Sequence, residues 1–191
     1  MKITLKKLEE LHACSPGMEM FNKQFGEESE ISSIIGWAIT QNIEAMRYAN
    51  WLIVRVMSRK NYLSYAVFAA KKVIDIFEKK YPNDKRPRLA IEAAEACIID
   101  DSEENKKNAR AAADAAYDAA YDICAAAAAA AISAYDAAAA AYDAYDAADA
   151  AAISAAAAIS AAAAYDDADA RKAMMAEILN YGLSLIEQEV K

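Results

Sequence analysis

The sequence predicts an all-α protein: a compact multi-helix bundle of seven to nine helices, without strands, with a tightly packed alanine-rich C-terminal half. Two observations carry that expectation. Within residues 109–170, 37 of 62 residues are alanine and none is glycine or proline. Alanine is the strongest helix former because it loses no rotamer freedom. On either side of this segment, apolar residues recur at three- and four-residue intervals, the period of an amphipathic helix. As one straight helix the segment would be about 90 Å long at 1.5 Å per residue, whereas a compact domain of this size is only about 40 Å across. Folding back is therefore expected, since a rod this apolar has nothing to cover its alanine faces. The chain has 191 residues, enough for one domain with a sizeable core. It reads as a single all-helical domain, 1–191. Its parts are an N-terminal helical segment (1–30), a second group of helices (31–108), the acidic alanine-rich helices (109–170) and a closing helix (171–191).

The elements follow in chain order. Residues 2–13 read as a first helix with Ile3, Leu5, Leu8 and Leu11 apolar. Ser15-Pro16-Gly17 either stops the chain or starts a second helix, with Ser15 as cap and Pro16 in the first turn. Met18, Met20, Phe21 and Phe25 then face the core and Gly26 ends the helix. Residues 27–30 are a polar connection. Residues 31–58 read as one long hydrophobic helix, carrying Ile34, Trp37, Ala38, Gln41, Ala45, Tyr48, Trp51, Leu52 and Arg55 at helical spacing, and residues 61–81 as another. Pro82 stops the latter near Tyr81. Asn83 or Asp84 caps the next helix, from Lys85 to about Ile99, which is expected to bury Leu89, Ala93, Ala96 and Cys97. Asp100-Asp101-Ser102 connects it to a helix from Glu103 onward. Inside the alanine-rich segment the breaks are expected at Ser133, Asp146–Asp149 and Asp166–Asp167, where Ser or Asp can cap. Asp169 to Glu189 forms the last helix.

Charge is unevenly distributed. Of the net −8, residues 1–108 carry +1, residues 109–170 carry −9 (ten aspartates against Arg110), and residues 171–191 balance. A surface of that sign repels nucleic acid and attracts a basic protein. Cys14, Cys97 and Cys124 are odd in number, far apart and without a CxxC pair, so they are expected to be reduced and buried in a cytoplasmic protein. The N-terminus lacks the apolar stretch of a signal peptide, and no run is long and apolar enough to span a membrane.

Residues 77–94, which include Tyr81-Pro82-Asn83-Asp84-Lys85-Arg86-Pro87-Arg88, resemble the signature of the Imm-5-like immunity protein family of bacteria and phages. Trp37, Ala49, Trp51-Leu52 and Arg55 also match its pattern. So does the earlier segment Ala13-Cys14, Met20-Phe21 and Phe25-Gly26, and the resemblance extends over about 12–170. It implies an all-helical fold and protein–protein neutralisation of a toxin. If the source is a phage, the target becomes a host defence nuclease, as for an anti-CRISPR or similar anti-defence protein. Family members often punctuate their alanine-rich helices with His and Arg. This chain uses Tyr and Asp there, and its single histidine is His12.

Catalysis is not expected. A nucleophile needs a base held beside it, and His12, read as a surface residue, is the sole imidazole; no glycine-rich phosphate loop exists. Carboxylate metal sites in bundles use Glu and Glu-x-x-His on facing helices. The alanine-rich segment has neither, so neither metal nor cofactor is expected. Arg47, Arg55, Arg86 and Arg88 are read as tying helix ends to Asp75, Glu78, Asp84 and Glu92. The remaining pattern is the tyrosine–aspartate pairs. On a helix, Tyr117 and Tyr121 form one stripe and Asp114, Asp118 and Asp122 its neighbour. Tyr135-Asp136 and Tyr142-Asp143 repeat the motif at a spacing of seven, and Tyr145-Asp146 follows. The plain reading is that the tyrosines seal core edges and the aspartates keep the chain soluble. The functional reading is a partner-binding surface in which tyrosine gives rigid contact area and regularly spaced carboxylates imitate a duplex's phosphates. Ten aspartates against one arginine exceed what solubility requires. The expectation is a non-enzymatic acidic inhibitor of a basic toxin or nuclease. A structural or oligomerisation module, including a homodimer, is the alternative.

Overall fold

The computed structural model describes residues 1–121, 129, 130, 132–134, 136, 137, 140 and 168–189. The elements with assigned bounds are β1 (Lys2–Thr4), α1 (Leu5–Glu10), α2 (Ser15–Phe25), β2 (Glu28–Glu30), α3 (Ile31–Thr40), α4 (Ile43–Arg55), α5 (Arg59–Lys71), α6 (Ile74–Lys80), α7 (Arg86–Ile99), α8 (Glu103–Tyr121) and α9 (Ala168–Glu189), and the described residues between 129 and 140 are helical as well. The all-α bundle is as the apolar spacing predicts. The sheet is not: β1 and β2 pair antiparallel, with Ile3 opposite Ser29. The reason is local. Ile3 is buried at 1% exposure between outward-facing neighbours, a period of two that a strand satisfies and a helix does not. Thr4 then caps α1 by accepting from the Lys7 N–H at 3.0 Å, so the first helix starts at Leu5 and not at residue 2. Lys2 with Glu28, and the N-terminal amine with Glu30, close the pairing.

Two helices expected to be continuous are broken. The long one divides at Gln41, where the Thr40 hydroxyl donates to the Trp37 carbonyl (2.7 Å) and Asn42 caps α4 by accepting from the Ala45 N–H (2.9 Å). Short polar side chains here outcompete the helical ladder. The second break falls at Lys72–Val73, between α5 and α6, and lets the consecutive Val73 and Ile74 both be buried. The stops at Gly26 (φ 72°) and before Pro82 fall where expected. Ser15–Pro16 opens α2, with the cap one residue earlier at Cys14.

Small residues set the packing. Ala66, Ala69 and Ala70 of α5, Ala90 and Ala94 of α7, and Ala109, Ala113 and Ala116 of α8 are all fully buried, which lets helix axes approach closely. The buried face of α7 is therefore Ala90, Ile91, Ala94 and Cys97. Leu89, expected inside, is 52% exposed, because the face that meets α8 is the one with the least bulk. The closing helix α9 packs on α3, α4 and α5. Its Gly182 lies so close to α4 and α5 that a Cβ there would meet the Tyr65 ring at 2.7 Å and Ile53 Cδ1 at 2.8 Å. Beneath that crossing the Tyr65 hydroxyl donates to Asn50 Oδ1 at 2.6 Å, which satisfies two buried polar groups.

The chain also reverses within the alanine-rich segment. Arg59 pairs with Asp101 at 3.0 Å and donates to the Ala140 carbonyl at 3.5 Å. As a continuous helix, positions 101 and 140 would stand about 58 Å apart. Ala130, Ser133, Ala134, Ala137 and Ala140 are helical and buried, and all belong to the main core except Ser133. Ser133 is thus inside a helix and not a cap. The expected breaks at 146–149 and 166–167 lie outside the described residues, as does Cys124.

Candidate functional site

Helix α8 positions the described part of the tyrosine–aspartate motif. Ala109, Ala113, Ala116, Ala119 and Ala120 form its buried stripe. The opposite face is thereby committed to solvent: Lys107, Arg110, Asp114, Tyr117 and Asp118 are exposed there. Asp114 and Asp118 stand four residues apart, neighbours on one face, with Tyr117 three residues from Asp114 on its flank. Tyr117 is 50% exposed, one of the few large apolar side chains so placed among the described residues. Tyr121 is the last described residue of α8. Asp122, Tyr135, Tyr142, Asp143, Tyr145 and Asp146 lie outside the described residues.

Asp136 requires a correction. It was expected on the outward ridge, yet it is 6% exposed and its Oδ2 is buried without a hydrogen-bond partner. It sits three residues after Ser133 and four before Ala140, so the face that buries those two carries Asp136 inward. Burial raises its carboxyl to a pKa of about 7. It does not belong to a docking surface.

The arginines are largely consumed within the fold. Arg88 forks onto Glu78 (2.9 and 2.6 Å) and reaches Asp75 at 3.7 Å, across the α6–α7 turn and not forward to Glu92. Arg86 grips Asp84 at 2.6 Å, and the Asp84 carboxylate also accepts from the Arg86 N–H. Hydrogen bonds from these guanidiniums hold the Glu78 and Asp84 carboxyls below their usual range. The Tyr-Pro-x-Asp-x-Arg-Pro-Arg stretch therefore stitches a helix–turn–helix junction. Arg55 lies over the Trp51 ring, 4.4 Å from its centroid. Arg59 draws the Asp101 carboxyl down in the same manner. Arg47 makes no ion pair among the described residues.

His12 adopts φ 59° at the turn after α1 and is exposed. Cys97 is buried as expected, and burial pushes its thiol up. Cys14 is exposed, because it serves as the cap of α2 and not as a core residue. Among the described residues no group of three or more His, Cys, Asp or Glu side chains converges, and no helix is long and apolar enough to cross a membrane. Sequence reasoning missed one feature. A cavity open to solvent lies among α1 to α4, and its walls come from positions as far apart as Leu8 and Leu52. The methionine and aromatic content of 18–25 was its only local sign. No family model matches the chain, and no curated protein or solved structure gives a significant match.

Proposed function

We propose that this chain is a non-enzymatic interaction protein, an immunity-like inhibitor that binds and blocks a basic toxin or nuclease-type partner through an acidic, tyrosine-bearing surface. The observation that supports this is the outward face of α8, where Asp114, Tyr117 and Asp118 stand side by side in solvent while the alanines opposite bury the helix. Carboxylates one helical turn apart attract a cationic site and steer its approach. The phenol between them supplies the rigid anchor that interface hot spots favour. The likeness of residues 77–94 to immunity proteins supports a toxin as the target class. On the sequence pattern alone, the proposal also assigns Tyr121, Asp122, Tyr135, Tyr142, Asp143, Tyr145 and Asp146 to partner binding.

The test is titration of the intact chain against a panel of basic nuclease and toxin domains at low salt, with enzymatic inhibition as the readout. Stoichiometric inhibition of at least one domain, weakening steeply as salt rises, is the expected result. Binding to none of them, or binding indifferent to salt, would refute the proposal.

A further inference from the structure

The N-terminal third of the fold contains a cavity of about 370 Å³ that owes nothing to the acidic face of α8. Its size falls within the range of small-molecule pockets. Its wall is apolar and aromatic. Phe21 and Phe25 are 5.4 Å apart, and Phe25 meets Trp37 edge to face at 5.5 Å; Met20, Trp51 and Leu52 continue the lining. Its polar groups gather on few residues: His12 and Cys14 at the turn between α1 and α2, and Arg47 and Tyr48 on α4. Among the described residues no Asp or Glu lines it, and Arg47 is the only permanent cation that does. Burial, with Cys14 and a hydrogen bond to Glu44, which lies outside the lining, raises the Tyr48 phenol above its usual value.

Arg47 is set apart from the other arginines of this region. Arg86 and Arg88 are held by carboxylates and Arg55 by the Trp51 ring. Arg47 has no such partner among the described residues. One guanidinium offers a planar fork that matches one carboxylate and a single negative charge.

We infer that this cavity is a binding site for an apolar carboxylate, its hydrocarbon body lying against Phe25, Trp37 and Met20 and its carboxylate held by Arg47. The site is separate from the proposed partner surface, and its failure would leave that proposal standing.

The protein's two tryptophans are Trp37 and Trp51, and both line the cavity, so intrinsic fluorescence reads its occupancy. The intact chain is titrated with dodecanoate below its micelle concentration, with dodecanol as the uncharged isostere, and with naphthoate as a rigid aromatic body. Saturable change in tryptophan emission with the carboxylates, and affinity for dodecanol lower by about tenfold or more, is expected, tenfold being 1.4 kcal/mol. Arg47→Gln, an exposed substitution whose folding is checked by circular dichroism, should bring dodecanoate down to the affinity of dodecanol. A second variant, Ala45→Phe, fills the cavity and should abolish the response to all three ligands. No saturable response, equal affinity for dodecanoate and dodecanol in the unaltered chain, or an Arg47→Gln chain that still prefers dodecanoate would each overturn the assignment.

Discussion

Asp136 and Asp118 illustrate how far one residue type can differ within one segment. Asp118 occupies the solvent side of α8, while Asp136 is enclosed beside the stripe of Ser133 and Ala140. The consequence for stability has a definite sign. Unfolded, the Asp136 carboxyl titrates near 4; folded, burial holds it at about 7. Between those values the unfolded chain releases the proton and the native chain keeps it, so this residue makes stability fall as pH rises. Asp136→Asn should match the unaltered protein at pH near 4 and exceed it, by up to a few kcal/mol, at pH near 8. Chemical denaturation at the two pH values checks this, and equal stabilities at the higher pH would show that the carboxyl is not buried. On the page of sequence, Asp114, Tyr117 and Asp118 were legible as one face, because alanines at a four-three spacing declare the opposite side. The burial of Asp136 was not. In a nearly uniform alanine background, the face that turns inward is chosen by the neighbouring helices.

The elements divide similarly. Where a residue acts by its own backbone chemistry, as Gly26 and Pro82 do, the boundary was legible. Where a boundary depends on competition between side chain and ladder, as at Thr40–Asn42, or on the need to bury two adjacent β-branched residues, as at Val73–Ile74, it was not. The β1–β2 pairing was also hidden, since three-residue strands leave almost no periodic trace. Two tests belong to this scale. Asn42→Ala removes the side-chain acceptor for the Ala45 N–H and should cost about 1 kcal/mol, read as a lower denaturation midpoint with unchanged slope. Gly182→Ala forces a methyl group into Ile53 and the Tyr65 ring, and the buried ring, held by its bond to Asn50, cannot yield as cheaply as the end of the Ile53 side chain. It should cost about 1–3 kcal/mol and lower the melting temperature. A neutral result would mean that α9 does not cross α4 and α5 so closely.

Across the whole molecule, the distribution of charge separates fold from function. Several basic residues of the first 108 positions are tied to acids of the same body: Arg59 to Asp101, Lys71 to Glu95, Arg88 to Glu78, and Lys72 to Glu177 of α9. The excess of −9 in residues 109–170 has no such balance in composition, and its two carboxylates on α8, Asp114 and Asp118, stand in solvent on the face that also carries Arg110. On α8 the small-residue face does the packing, and Asp114 and Asp118 lie on the opposite side. That division predicts that reversing charges on α8 changes binding and leaves folding intact. The most direct measurement compares the unaltered chain with the Asp114→Lys/Asp118→Lys double variant, by calorimetric titration against whichever basic nuclease or toxin domain the unaltered chain inhibits, with circular dichroism of both. The account predicts unchanged helicity and an affinity lower by at least about tenfold; full affinity in the double variant would contradict it.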